Sequence, residues 1–191
     1  MAIEFKQTKF SGRTPEFWRG ECKVLPGGFK PTKELPQGSV LFRGTPIRID
    51  FAKMTAEICK GAKVMLGSSA TKIKVAKGHL FVVGDKIAKV GAEDTAVAIT
   101  AIDTKNPEYD VLTHASLTTE AGTDYITLEN AKAPNAVVAA DLEFNGMGLP
   151  TIDAAYDAVV LYPSLPFEIL PAWLNDGLCM KSNPNIMFIK Q

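Results

Sequence analysis

The chain has 191 residues, enough for one ordinary domain or for a compact domain with a sizeable extension, and too few for two enzyme-sized units. Hydrophobic residues at 46% against charged residues at 22% place it among folded globular proteins and exclude wholesale disorder or a collagen-like repeat. Lys+Arg and Asp+Glu both number 21, and the resulting zero net charge removes the bulk electrostatic case for a nucleic-acid or anionic-membrane partner.

Residues 1–10 alternate apolar with polar or charged side chains, so no secretion signal is readable, since such a signal needs a continuous apolar stretch. Residues 1–36 hold Gly12, Pro15, Gly20, Pro26, Gly27, Gly28, Pro31 and Pro36, a density of breakers that forbids a long helix or a central strand. Aromatic side chains sit among them, including Phe5, Phe10, Phe17 and Trp18. A segment too broken to build its own core must bury these rings against the rest of the chain or against a partner. The segment therefore reads as an extended arm, with those four residues as the expected interface.

Residues 37–134 change texture to short runs rich in Val, Ile and Thr, separated by Gly, Asp and Asn, which predicts a compact multi-stranded β barrel. Expected strands cover 39–43, 47–51, 62–66, 71–76, 79–83, 86–90, 96–103, 110–113 and 125–129. Gly84-Asp85 is expected to join two of these as a type II′ hairpin. Lys72 and Lys74 alternate with Ile73 and Val75, so that strand should have one wet face. Lys86 and Lys89 fall on opposite faces, which predicts a strand near an edge or an end.

Residues 135–191 form a third region. Ile152, Ala155, Tyr156, Val159 and Val160 follow helical spacing behind the potential cap Thr151, predicting one short helix near 152–162 that Pro163 ends. A strand over 158–162 is the competing reading of the same apolar run. Pro163, Pro166 and Pro171 make the following stretch irregular, and they cut the most apolar run short of the ~20 residues of a membrane helix. This apolar tail must pack on something, and the run near 185–190 reads as a last strand.

The neutral total conceals a partition. Residues 1–90 carry seventeen basic and seven acidic side chains, a net of +10, and residues 91–160 carry two basic and twelve acidic ones, a net of −10. Either the two blocks mix on one surface or they make a bipolar molecule suited to oriented association.

Chemistry is sparse. No nucleophile elbow or phosphate loop is present, and the stretch Gly67 to Thr71 lacks the glycine either motif would require. His79 and His114 are the only imidazoles, too far apart in sequence for a zinc motif, and both read as solvent-facing or turn residues. Asp103, Glu108 and Asp110 form the best oxygen-ligand cluster for a calcium ion, although Asn106-Pro107 between them is an ordinary turn pair. Cys22, Cys59 and Cys179 are odd in number and make no C-x-x-C pair, so reduced thiols are expected in a protein made in a cytoplasm. No cofactor is implied and no catalytic constellation is visible.

Five stretches resemble the head fibre proteins of tailed phages and prophages of Bacteroides-type bacteria: VLPGGFKPTKELPQGSVLFRGTPIRID (24–50), VAKGHLFVVGDKIA (75–88), NAVVAAD (135–141), LPTIDAAYD (149–157) and NPNIMFIK (183–190). The central region is also similar to the small β-clip decoration proteins of phage heads. The resemblance implies a non-catalytic virion protein on the capsid surface: a homotrimer bound to the major capsid protein, with an outer part available to a host-surface glycan. Residues after 135 have no counterpart in the small decoration proteins. The alternative reading is a carbohydrate-binding or adhesion module on a β scaffold, with Trp18 or Trp173 stacking on sugar.

Overall fold

The computed structural model describes residues 22–26, 28–33, 35–146 and 150–190. The four arm residues Phe5, Phe10, Phe17 and Trp18 lie outside them. The protein is mainly β, as its alternating texture predicts. In chain order the strands are β1 (Lys23–Val24), β2 (Lys30–Pro31), β3 (Val40–Leu41), β4 (Pro46–Asp50), β5 (Thr55–Ile58), β6 (Gly61–Lys63), β7 (Lys72–Ala76), β8 (Lys86–Lys89), β9 (Ala92–Asp103), β10 (Tyr109–His114), β11 (Tyr125–Leu128), β12 (Ala136–Val138), β13 (Leu142–Glu143), β14 (Ala154–Leu161), β15 (Leu174–Asn175), β16 (Cys179–Met180) and β17 (Asn183–Ile189).

Two sheets carry the fold. Strands β6-β11-β8-β9-β10-β7 form a six-stranded sheet that curls strongly. Its two outer strands approach each other closely enough for the Met65 amide to donate to the Lys74 carbonyl at 2.9 Å. Ile73, Val75, Ile87, Ile99, Leu112 and Ile126 fill the interior of this half-barrel. Strand β7 keeps the expected alternation, with Ile73 and Val75 fully buried and Lys72 exposed. Strand β8 departs from its edge expectation and lies between β11 and β9. Its Ile87 and Ala88, on opposite faces of the strand, are both fully buried.

The second sheet has the order β15-β16-β17-β14-β12-β4-β5-β2, with β1 also paired to β14. Residues 46–58 therefore share a sheet with residues 136–189, and the chain passes from this sheet into the barrel where β5 runs through Cys59 and Lys60 into β6. From Cys22 onward the broken N-terminal region lies on its own chain: the amide of Phe29 donates to Ile152 and the amide of Ile152 to Phe29, both at 2.8 Å, and the Phe29 ring is buried. Pro31 sits in the outermost strand, where its missing N–H blunts a sheet edge.

The helix expected near 152–162 is a strand, β14, paired antiparallel to β12 and β1 and parallel to β17. Ala154, Ala155, Ala158 and Val160 are all buried. A strand with neighbours on both sides and cover on both faces loses strict alternation, and its continuous apolar run then imitates helical spacing. The only helical turns among the described residues are two 3-10 turns, Tyr162–Ser164 and Pro171–Trp173, each starting at or next to a proline.

The proline-rich tail packs between the layers. Leu170 is fully buried and occupies the space a side chain at residue 61 would need: a Cβ built on Gly61 would lie 2.6 Å from Leu170 Cγ and Cδ1. Gly78, at φ +85°, faces the Pro166 carbonyl, where a Cβ would meet the oxygen at 2.1 Å. Ile169, Leu170 and Trp173 join Val137, Ala155 and Val160 in one cluster, so the tail glues the barrel to the larger sheet.

The +10 and −10 blocks are interleaved in space. Ion pairs Lys23–Asp157 at 2.7 Å, Lys86–Glu129 at 3.1 Å, Lys89–Asp124 at 2.8 Å and Lys77–Asp110 each join one block to the other within a single chain.

Candidate functional site

A buried grouping of ionisable side chains lies where the two sheets meet. Lys60 stands on the crossing between β5 and β6, Asp85 immediately precedes β8, and Lys33 follows β2. Lys60 and Asp85 are 4% and 3% exposed, and Lys60 Nζ donates to Asp85 Oδ2 at 2.7 Å. Lys33 Nζ donates to Oδ1 of the same carboxylate, and the Val82 amide donates to Oδ2 at 2.9 Å.

The backbone delivers Asp85 through a turn. The Asp85 amide bonds the Val82 carbonyl at 3.1 Å, and Gly84 takes φ +89° at the second central position. That is the place for glycine in a type II turn. The expected type II′ hairpin is thus absent, because residues 79–83 form no strand and β8 pairs with β9 and β11 instead.

Burial alone would raise the Asp85 pKa, but the hydrogen bonds from Lys33, Lys60 and Val82 outweigh it and hold the carboxyl below its usual range. Burial pulls the Lys60 ammonium below the ordinary lysine value, opposed by Asp85. The carboxylate is ionised and its two oxygens are engaged by three donors. The adjoining void, which Lys60 shares with Glu168 and Trp173, holds about 10 Å³, on the scale of one water molecule. Lys60 is almost sealed from solvent, and the cluster acts as a clamp between the layers.

Next to it, His79 and Asp110 border an open cleft of about 690 Å³ whose apolar wall includes Leu35, Phe81, Val83 and Ile102. His79 Nδ1 accepts from the Phe81 amide at 3.2 Å, which places its proton on Nε2. Nε2 stands 3.1 Å from Asp110 Oδ2 but is not aligned for a hydrogen bond. Asp110 pairs with Lys77 through its other oxygen. Burial lowers the His79 pKa, with Asp110 opposing.

Both histidines differ from the solvent-facing expectation: the His79 side chain is only 6% exposed and His114 is buried, its Nε2 without a hydrogen-bond partner. His114 follows the buried alternate positions of β10, a placement invisible until strand register is known, whereas the His79 side chain is buried just after the turn at Lys77 and Gly78.

The calcium candidates are not brought together. Asp103 Oδ1 accepts the Lys105 amide at 3.1 Å in the turn after β9, and the Glu108 amide is held by Asn106 Oδ1 at 2.9 Å. Asp110 is directed into β10 towards Lys77 and His79. No group of three or more His, Cys, Asp or Glu suited to a metal ion occurs among the described residues. Trp173 is 6% exposed and packed in the interlayer cluster, so it offers no face for sugar stacking. Cys22, Cys59 and Cys179 are free thiols, and burial pushes the Cys59 thiol well above its usual value. No helix among the described residues is long and apolar enough to cross a membrane.

Sequence reasoning passed over Lys60. The available signal was a lone lysine set inside the apolar run Ile58, Cys59, Gly61 and Ala62, a context in which a charge demands a partner.

Comparison of the chain with protein-family models, with curated proteins and with solved structures finds no match in any of the three.

Proposed function

We propose that this chain is a non-catalytic structural subunit of a tailed-phage head, a head fibre or capsid decoration protein that oligomerises and binds the major capsid protein. One observation supports the reading above others: four of the five stretches that carry the resemblance meet at two asparagines. The Asn135 side chain accepts from the Ile49 amide at 2.8 Å and donates to the Ile49 carbonyl at 3.2 Å. Asn183 Nδ2 donates to the carbonyls of Asn135 at 3.0 Å and Tyr156 at 2.8 Å. The stretches 24–50, 135–141, 149–157 and 183–190 therefore all contribute strands to one sheet, which supports reading them as one structural unit.

The fifth stretch, 75–88, carries Asp85 and so contributes the clamp between that sheet and the half-barrel. On this reading the aromatic arm, with Phe17 and Trp18, engages a neighbouring subunit or the shell, and the outer surface is available to a host glycan. The experiment is co-sedimentation of the purified protein with capsid shells, alongside light scattering. Binding to shells by a trimer that Phe17→Ala with Trp18→Ala weakens, without shifting the unfolding transition, is the expected result. A strict monomer at micromolar concentration that leaves shells bare would overturn the proposal.

A further inference from the structure

A second cleft, of about 500 Å³, opens on the larger sheet over β2, β4 and β5, and none of the clamp's side chains, Lys33, Lys60 or Asp85, lines it. Its ionisable lining is Lys30, Arg48, Lys53 and Lys132 against Asp50 and Glu57. Asp50 is already committed: its Oδ1 accepts the amides of Ala52 at 3.0 Å and Lys53 at 3.1 Å, which hold its pKa low. Arg48 is half-buried and fixed in place by donating Nη1 to the Ala133 carbonyl at 2.8 Å. Lys30 and Lys132 are exposed and have no ion partner among the described residues. Lys53 pairs with Asp50 at 3.6 Å and Glu57 lies across from Arg48 in register, so the cleft presents a positioned guanidinium flanked by two ammonium groups, Lys30 and Lys132, without an ion partner among the described residues.

We infer that this cleft docks an acidic peptide segment of a partner protein. Charge complementarity selects an anionic ligand, and a guanidinium held rigid loses little freedom when it takes a carboxylate. The remaining lining selects among anions. Among the described residues no aromatic side chain lines the cleft, so they offer neither a nucleobase nor a pyranose ring a stacking surface. Glu57 projects a negative charge beside the cations, which repels a dense phosphate chain and tolerates carboxylates spaced along a peptide. Pro31 on the rim removes a backbone donor, so recognition falls to the side chains rather than to strand addition. The inference rests on the cleft alone and stands apart from the phage-head reading.

The test is fluorescence anisotropy of a labelled poly-glutamate peptide with the full chain, in low and in high salt, against a labelled oligo-thymidine of similar charge. Salt-sensitive binding of the peptide is expected, together with weakening by about tenfold or more for Lys30→Glu with Lys132→Glu and a smaller loss for Lys30→Gln with Lys132→Gln. Lys105→Glu with Lys181→Glu, away from the cleft, should bind as the native chain does. Circular dichroism melts of all variants should coincide with the native curve, since every exchanged side chain is exposed. Absence of peptide binding in low salt, indifference to the Lys30 and Lys132 exchanges, or equal affinity for the oligonucleotide would overturn the inference.

Discussion

Lys60 Nζ lies 2.7 Å from Asp85 Oδ2 with both side chains withdrawn from water, and this pair ties the crossing strand of one sheet to the turn that opens the central strand of the other. A buried carboxylate with three donors around it is stable only while those donors remain, and the same holds for the ammonium.

Asp85→Ala should therefore cost about 3–5 kcal/mol, because it leaves the buried Lys60 charge unpaired and the Val82 amide without its acceptor. Lys60→Met should cost less, since Lys33 still neutralises Asp85 and the methionine chain fills similar space. Urea unfolding at neutral pH measures both. If the Asp85 variant is no less stable than the Lys60 variant, the clamp does not hold the layers.

The tail is held by shape. Gly61→Ala should destabilise by about 1–3 kcal/mol through its collision with Leu170, and Leu170→Ala by about 2–5 kcal/mol through the cavity it leaves. In the double variant the new methyl enters the space vacated by leucine, so its loss should be smaller than the two single losses together. A double-mutant cycle by urea unfolding reads the coupling directly, and strict additivity would mean that residue 170 packs elsewhere.

Histidine burial makes stability depend on pH in a definite direction. Burial holds His79 and His114 below the usual 6.5, with Asp110 and the Ala115 carbonyl opposing in turn. Between the folded and unfolded pKa values the unfolded chain binds protons that the folded chain refuses. Stability is therefore full above the unfolded value and falls as pH drops through it. Asp85 and Asp124, held below 3.8, add their losses only in stronger acid. The urea midpoint should decline from about pH 7.5 to about pH 5, and His79→Gln with His114→Leu should flatten that slope. An equal slope in native and variant protein would assign it to other groups.

The β class, the last strand and the half-wet face of β7 were legible because period-two patterning survives wherever one face meets water. Strand β14 was legible only as the competing strand over 158–162, since cover on both faces erased the alternation that distinguishes strand from helix. The turn at Gly84 was visible, but its partners were not: Asp85 reaches back to Lys33 and Lys60 across 52 and 25 residues, and residue spacing carries no information about such pairings. Phe17 and Trp18, chosen for the ring area they could bury, fall outside the described residues, whereas the basic cleft arises only when β2, β4 and the segment around Lys132 converge.

Asn183 is the remaining hub that a single substitution can test. Its carboxamide nitrogen donates to two main-chain carbonyls, Asn135 just before β12 and Tyr156 in β14, and its Oδ1 accepts the Asn185 amide at 3.2 Å, with Asn183 itself only 2% exposed. Asn183→Ala should cost about 1–3 kcal/mol, since the carbonyls of Asn135 and Tyr156 lose a buried donor. Asn183→Asp keeps the size but turns a donor into an acceptor facing two carbonyl oxygens, so it should be the worse exchange at neutral pH. It should recover partly in mild acid, where a protonated carboxyl can donate again. Chemical denaturation of the two variants at neutral and mildly acidic pH, each compared with the native protein under the same conditions, gives the ordering. An aspartate variant as stable as the alanine variant at neutral pH would mean that residue 183 does not bridge these strands.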